Sequence, residues 1–228
     1  MNIEVCANSF HSASIAQELG AFRVELCQDL RLDGLTPSIE LLEHVTQNLE
    51  IPVHVLIRPR PGDFHYTTAE LKLIEQEIEL AKSFPISGIV VGHLSTTFQP
   101  DSLLLKEWRD QCANLELTFH RAFDHVSDPF SALDTLVDAG FDRILSSGQA
   151  SNALQGINQL QSWQSYLDNK IEIMPGGGIH HKNAPHFLER GFKTIHLSAK
   201  QMDTPAHVEP TIDPSILERV LSIAQSHV

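Results

Sequence analysis

Two cysteines occupy matching positions in two similar tripeptides, residues 4–6 (EVC) and 25–27 (ELC). If each tripeptide ends a strand and the two strands are parallel neighbours, the thiols of Cys6 and Cys27 lie side by side at one end of a sheet. Two thiolates in near-linear coordination suit Cu(I), a soft monovalent ion. The alternative is that both cysteines are small apolar core residues, as unbonded cysteine often is.

A proline-rich segment, residues 58–63, presents two arginines, Arg58 and Arg60. A guanidinium group matches the oxygens of carboxylates and phosphates, so both residues are candidate anion ligands. The alternative for Arg58 is an ion pair with a glutamate inside the fold.

A denser cluster lies at residues 119–124, where an imidazole, a guanidinium and a carboxylate fall within five residues. His120 or Asp124 could act as a general acid or base, with Glu25 as a further candidate carboxylate. Arg121 could hold an anion. The alternative is that an ion pair between Asp124 and Arg121 fixes the loop.

Three consecutive glycines, Gly176, Gly177 and Gly178, let a backbone approach an anion closely, and a helix is predicted to follow them. The alternative is a tight turn that needs a positive φ. The predicted anion-binding set also includes residues that follow two other strands, namely Ser147, Gly148 and Ser198.

These residues must be positioned by a regular framework, and the chain alternates short apolar runs with segments of helical period eight times. Apolar residues in the helical segments recur three and four apart, as at Leu71, Ile74 and Ile78. The predicted strands are residues 3–7, 23–27, 53–58, 88–92, 115–121, 143–147, 171–176 and 194–198.

Eight strand–helix units in 228 residues predict an α/β fold, a (β/α)8 TIM barrel, with residues 1–228 as a single domain. The alternative is an open doubly wound sheet, but no GxGxxG follows the first strand. Residues 201–212 are predicted to form a long loop before the last helix. Active sites of such barrels lie at the carboxyl ends of the strands, where the residues named above are found.

Alternation along the strands places polar side chains inside this barrel. Buried ions cost several kcal/mol each unless they are paired. We therefore expect Glu4, Glu25 and Glu172 to pair with Arg23, Arg58 or the histidines. The inward-facing set is Glu4, Cys6, Arg23, Glu25, Cys27, His54, Leu56, Arg58, Glu116, Thr118, His120, Glu172, Met174, Gly176, Thr194, His196 and Ser198.

Local signals mark the helix starts. Thr36, Asp128 and Asp213 each precede a proline, an arrangement typical of a capping residue followed by the first helical position. The remaining histidines, including His180 and His181, are predicted to be surface residues.

The composition excludes several classes of partner. Acidic residues outnumber basic ones 29 to 16, and the net charge of −13 repels nucleic acid and anionic membrane surfaces. No segment approaches the roughly 18 uncharged apolar residues of a membrane span, and no signal segment follows Met1. Three cysteines favour free thiols in a reducing compartment. The sequence predicts a cytoplasmic protein.

With these residues in view, the chain resembles the copper homeostasis protein CutC family. The matching segments are residues 4–6, 23–27, 34–38, 57–60, 62–64, 118–124, 147–148, 174–179 and 196–199. Pro61 stands where the family commonly has glycine, which stiffens that loop. The resemblance implies a cytosolic TIM barrel involved in copper tolerance and trafficking, with Cu(I) bound through Cys6 and Cys27.

Two functions are consistent with these features. The first is CutC-like copper homeostasis with Cu(I) on the two thiolates. The alternative is an enzyme of lyase or isomerase type that acts on a small phosphorylated or carboxylated metabolite, with His120 or Asp124 transferring a proton. The expected partners are a copper ion or a small anionic molecule, and another copy of the chain in a homo-oligomer.

Overall fold

In the computed structural model, which describes residues 1–200 and 208–225, eight parallel strands alternate with helices. The strands are β1 (Asn2–Ala7), β2 (Arg23–Leu26), β3 (Val53–Leu56), β4 (Gly88–Val91), β5 (Glu116–Phe119), β6 (Arg143–Ser146), β7 (Glu172–Pro175) and β8 (Thr194–Leu197). The helices are α1 (Phe10–Glu18), α2 (Ile39–Asn48), α3 (Thr68–Ala81), α4 (Ser102–Cys112), α5 (Pro129–Asp138), α6 (Ile157–Leu167), α7 (Ala184–Glu189) and α8 (Pro214–Gln225). Short 3₁₀ turns, Leu30–Leu32 and Arg121–His125, follow β2 and β5.

The strand order is β7-β6-β5-β4-β3-β2-β1-β8, and a parallel bridge between Gly176 and His196 nearly closes the sheet on itself. This sequential order confirms the predicted single-domain (β/α)8 barrel, because an open doubly wound sheet reverses its order at the centre. Each predicted strand is present, with bounds that differ by at most two residues. Residues 201–207 of the predicted loop lie outside the described residues.

The alternation of the strands separates two apolar regions. Side chains that point outward, such as Val5, Val24 and Val55, pack with the helices in one large core. Cys6 and Cys27 belong to a separate small cluster inside the barrel, with Leu56 and Val90. None of the helices in the described part of the chain is both long and apolar enough to cross a membrane.

Two of the three predicted helix starts are confirmed. Asp128 and Asp213 each accept a backbone N–H of the first turn that follows, from Ser131 and Ser215 respectively. The freed amides of the first turn thereby find acceptors within the chain.

The third predicted start, at Thr36, is wrong. Helix α2 begins two residues later, where the Ser38 hydroxyl accepts the N–H of Leu41. The Thr36 hydroxyl instead accepts the backbone N–H of Arg58 at 2.9 Å and donates to Glu77 at 2.8 Å. A contact with the end of β3 therefore overrides the local capping signal.

The amino-terminal half of the barrel interior is filled by ion pairs. Arg23 bonds to Glu4, as predicted, and its Nη1 lies 3.5 Å from Glu116. Arg143 binds Glu172 at 3.0 Å and Glu116 at 3.1 Å. The prediction that Glu172 pairs with Arg23, Arg58 or a histidine is wrong, because Arg143, at the facing position of β6, is its partner.

Glu116 is the shared acceptor of this network, since it also contacts His54 Nε2 at 3.3 Å. The hydrogen bond with His54 and the positive charges around it lower the pKa of Glu116 to about 2. A pKa lowered by folding contributes stability that is present above the unfolded value of about 4.5 and is lost as the pH falls toward 2.

Replacing this acceptor by an uncharged amide, Glu116→Gln, should lower the free energy of unfolding at pH 7 by roughly 1 kcal/mol, because water screens a half-exposed carboxylate. The loss of stability between pH 5 and pH 2 should be smaller than in the wild type. Urea unfolding across this range measures both effects, with the exposed Glu50→Gln as the control. Equal pH dependence in the Glu116→Gln variant and the wild type would contradict this assignment.

Candidate functional site

The carboxyl ends of the strands surround a cavity of about 850 Å³. Its floor is formed by side chains of β1, β2, β3, β6 and β8, and its walls by the loops after β2, β3, β5, β6, β7 and β8. The cavity therefore lies where the sequence predicted a site, on the face at which barrel enzymes build theirs.

A pair of thiols lies at this floor. The register pairs Cys6 with Glu25, and Cys27 follows the last residue of β2, two residues beyond Glu25. The Sγ atoms of Cys6 and Cys27 are 3.4 Å apart. Both cysteines are buried, but only Cys6 lines the cavity. The hydrogen bond to Cys27 and burial raise the pKa of the Cys6 thiol well above its usual value. The Cys6 thiol is therefore protonated at neutral pH when no metal is bound.

His196 lies between two carboxylates beside the thiols. Its Nδ1 is 2.7 Å from Glu4 Oε1 and 3.6 Å from Glu25 Oε2. Burial acts to lower the pKa of His196, but the charge of Glu25 and hydrogen bonds with Cys6 and Glu4 outweigh it and hold that pKa well above the ordinary value. The imidazole is therefore a cation at neutral pH.

Glu25 is the less stabilised of the two carboxylates. Its Oε2 is buried and has no hydrogen-bond partner within the described chain. Burial raises the pKa of Glu25 to about 7, although the charge of His196 opposes the shift. A carboxylate with this pKa can gain or lose a proton at neutral pH.

The donor atoms at the floor suit a soft metal ion. Ligand atoms of Cys6, Glu25 and His196 lie within 4.8 Å of one another, and Cys27 adds a second sulfur. Sulfur and imidazole nitrogen are ligands that Cu(I) prefers, whereas a carboxylate is not. With metal–sulfur bonds of about 2.3 Å, linear coordination needs sulfurs about 4.6 Å apart. The thiols must therefore separate or accept a third ligand.

Arg58 is a buried cation held by backbone oxygens. Its guanidinium donates to the carbonyls of Leu32, Gly34 and Gly62, and it stacks on the ring of Phe64. In the part of the chain that the structure describes, no carboxylate pairs with it. The predicted alternative, a pair with a barrel glutamate, is wrong because the side chain turns toward the loops after β2 and β3.

His120 faces the same cavity as a neutral imidazole. Burial and the charge of Arg58 lower the pKa of His120 to about 3. Its Nδ1 accepts the backbone N–H of Ala122, so Nε2 carries the hydrogen. That Nε2 is buried and meets no acceptor among the described residues.

Asp124 lies behind the wall of the cavity and holds neighbouring residues in place through hydrogen bonds. Its carboxylate accepts hydrogen bonds from Arg121 Nε at 2.8 Å, from Ser147 N at 2.9 Å and from the Ser146 hydroxyl. The predicted alternative, an ion pair that fixes the loop, is confirmed. The contacts position Arg121 at the cavity, while Asp124 itself does not line it.

The structure brings together part of the predicted site. Cys6, Glu25, Arg58, His120, Arg121, Gly177, Gly178 and Ser198 line the cavity. Cys27, Arg60, Asp124, Ser147, Gly148 and Gly176 do not. Arg60 is bound to Glu70 and Asp63 at the outer side of its loop, which leaves its predicted anion binding without geometric support.

Close packing explains two of the glycines. Gly177 has φ +103°, and a Cβ there would lie 3.4 Å from the Arg121 guanidinium carbon. A Cβ on Gly156 would lie 1.9 Å from the carbonyl oxygen of Ser147. The close packing at Gly156 was not predicted, because this glycine does not follow a segment of helical period.

Several cavity residues were not predicted. His180 and His181 were expected at the surface, but both are half-buried and line the cavity, as do Lys182 and Lys200. Their position just after β7 and β8 was the available signal, because these loops face the mouth in a barrel. His196 was placed inside the barrel but not in the site.

The chain is similar to known proteins in both sequence and structure. The sequence model of the CutC family matches residues 1–201. A copper homeostasis protein cutC homolog of Mus musculus is 43% identical over 199 residues, which cover 87% of this chain and 73% of that protein. A family protein CutC of Photobacterium profundum is 37% identical, with 91% and 85% covered. The crystal structure of CutC from Streptococcus agalactiae has a TM-score of 0.82 at 32% identity, with 87% of this chain and 98% of that chain covered.

The neutral state of His120 is directly measurable. Its ring resonances should not titrate between pH 5 and 8 in NMR spectra, because its pKa lies near 3. Titration of His120 near pH 6.5 would show that the assigned environment is wrong.

The substitution Asp124→Asn removes the charge of the carboxylate behind the cavity wall. It should lower the free energy of unfolding by about 1–3 kcal/mol, because the N–H donors of Arg121 and Ser147 lose a charged acceptor. Chemical unfolding measures the change. The exposed Asp138→Asn is the matched control, and equal stability of the two variants would argue against a structural role for Asp124.

Proposed function

The chain belongs to the CutC family, and we propose that it is a cytosolic copper homeostasis protein that binds Cu(I) through the thiolates of Cys6 and Cys27. The observation that carries the proposal is the 3.4 Å separation of two free sulfurs at the floor of an open cavity. Relatives that share about 40% of its sequence are named copper homeostasis proteins.

The surroundings of the sulfurs support a monovalent ion. The thiols pack with Leu56 and Val90, and this apolar contact disfavours a strongly hydrated divalent ion. Cys6 lines the cavity, so an ion that enters the cavity meets this thiol first. The fully buried Cys27 lies behind Cys6. His196, which contacts Cys6, is the nearest candidate for a third ligand.

Binding requires that protons leave. Thiolates bind the metal, and the protons released from Cys6 and Cys27 need an acceptor. Glu25, with a pKa of about 7, lies beside Cys6 and can take one of them. Copper binding and the protonation of this carboxylate are thereby linked.

The free state of the sulfurs supports the proposed cytosolic location. All three cysteines are free, and the adjacent pair would oxidise readily in an oxidising compartment. A reducing environment keeps the proposed ligands available.

Cysteine substitution tests the site. Cys6→Ser and Cys27→Ser should each weaken Cu(I) binding at least 100-fold, measured under reducing, anaerobic conditions by competition with a coloured Cu(I) chelator. Cys112→Ser is the matched control, since Cys112 is a buried thiol on α4 remote from the cavity. Unchanged affinity in both test variants would remove the proposal.

The pH dependence provides an independent measurement. The apparent affinity for Cu(I) should rise between pH 6 and 8, by about tenfold per pH unit for each proton that binding releases. The same chelator competition, with the chelator calibrated at each pH, gives the slope. A flat profile would mean that the ligands are not these protonated thiols.

A further inference from the structure

The cavity above the thiols differs in charge from the protein as a whole. The chain carries a net charge of −13, yet four basic and two acidic residues line the cavity in the described chain, namely Arg58, Arg121, Lys182, Lys200, Glu25 and Asp33. Basic residues that surround a concave site raise the local concentration of anions. A site for a copper cation alone gives no reason for this distribution.

Arg58 is a buried cation whose hydrogen bonds use only part of its guanidinium group. The residue is 5% exposed. Its Nη1 donates to the carbonyl oxygens of Leu32 and Gly34, and its Nη2 donates to that of Gly62. A guanidinium carries five N–H donors, so two remain, and one of these is on Nε, which has no partner in the described chain. Asp33, between Leu32 and Gly34 in the chain, is not among the acceptors of this group.

The carbonyl oxygens around Arg58 solvate its charge without neutralising it. Carbonyl dipoles replace part of the water that the guanidinium loses on burial, but only an anion supplies the opposite charge. The hydrogen bonds of Arg58 within the described chain include no carboxylate. An anion in the cavity would complete this site, because the planar donor edge of arginine matches the oxygens of a carboxylate or a phosphate.

Phe64 connects Arg58 to a second polar group without a partner. The centre of its ring lies 5.2 Å from the guanidinium carbon of Arg58 and 4.9 Å from the centre of the His120 ring, and all three residues line the cavity. His120 is 4% exposed, and its Nε2 bears a hydrogen because Nδ1 accepts the amide of Ala122. This Nε2 has no acceptor in the described chain. Buried polar atoms without partners are rare, so two around one aromatic ring indicate a ligand that supplies the partners.

We propose that the cavity binds a small organic anion, whose carboxylate or phosphate group pairs with Arg58 and accepts a hydrogen bond from His120, while its carbon skeleton packs on Phe64. The inference goes beyond copper binding and does not depend on it, because none of these three residues is a proposed copper ligand. A volume of about 850 Å³ accommodates a molecule of metabolite size. Leu30 and Ile179 also line the cavity and provide further apolar surface for the carbon skeleton.

The Phe64 ring controls access to the two polar groups. Both unpartnered atoms, Arg58 Nε and His120 Nε2, are closed to solvent, so an anion reaches them only when a neighbouring side chain moves. Phe64 packs on both groups, is only half-buried and belongs to the loop after β3. In the bound state this ring shifts toward the open cavity, and the anion lies beside Arg58 and His120.

Three probes that share one aromatic ring separate the anionic contact from the apolar one. Benzoate carries a carboxylate, phenyl phosphate carries a phosphate, and benzamide is the uncharged counterpart of benzoate. NMR titration of the isotope-labelled full chain, freed of metal, measures the affinity for each probe. At least one of the two anions should bind about 10-fold or more tightly than benzamide, because the charge of Arg58 attracts only an anion. The anion that binds more tightly identifies the chemical group that the site prefers.

Substitutions assign the affinity to the proposed groups. Arg58→Gln should weaken binding of the anion about 10- to 100-fold and leave binding of benzamide unchanged, because only the charged contact is lost. His120→Phe, which removes the N–H donor and keeps an aromatic ring, should weaken anion binding about 10-fold. Arg60→Gln is the matched control and should bind as the wild type does, since Arg60 lies on the same loop but does not line the cavity. Thermal unfolding checks that each variant is folded.

Measurements on the wild type keep the test independent of how the variants fold. Binding of the anion should shift the ring resonances of Phe64 and His120, whereas those of Tyr166, on α6 outside the cavity, should not move. Binding of neither anion, equal binding of benzamide, an unmoved Phe64 ring, or unchanged affinity in a folded Arg58→Gln variant would overturn the proposal. Cu(I) titration of the Cys6→Ser variant is a separate measurement, so failure of either assignment is distinguishable from failure of the other.

Discussion

The pairing of ionisable groups inside a closed barrel is the constraint on which this structure depends. Most barrels fill the interior with branched apolar residues, but here Glu4, Arg23, His54 and Arg143 are buried there. Each must find a partner, because an isolated buried ion costs several kcal/mol. The two carboxylate oxygens of Glu4 have different partners, since one accepts a hydrogen bond from Arg23 and the other contacts His196. It thereby connects the ion pairs of the amino-terminal half to the cavity.

The kind of partner that the buried arginines find differs along the barrel axis. At the amino end, Arg143 has the carboxylates of Glu116 and Glu172 and the hydroxyl of Thr118 as acceptors. At the mouth, by contrast, Arg58 donates to backbone carbonyls, and no carboxylate of the described chain pairs with it. A buried cation without a carboxylate partner is a group that an anionic ligand can stabilise.

The sulfurs and the buried arginine lie in different parts of one cavity. Soft sulfur donors lie at the floor, where Leu56 and Val90 exclude water, and the arginine that has no counter-ion lies in the wall. Glu25 connects the two regions, since it adjoins Cys6 in the register of β1 and β2 and also faces the open volume.

The sequence by itself determined the barrel, because strand and helix periodicities are local and eight repeats admit few arrangements. Strand alternation also predicted the inward side chains, since successive residues face opposite sides. The tertiary structure alone decided which of them meet. Arg60 and Asp124 follow strands as Arg58 and Arg121 do, yet loop contacts turn them away from the cavity. Thr36 does not cap a helix as predicted, because its hydroxyl contacts Arg58 and Glu77 instead. His180 and His181 line the cavity because the glycine loop before them runs along its edge. Such outcomes depend on distances between segments remote in the chain, which residue spacing does not contain.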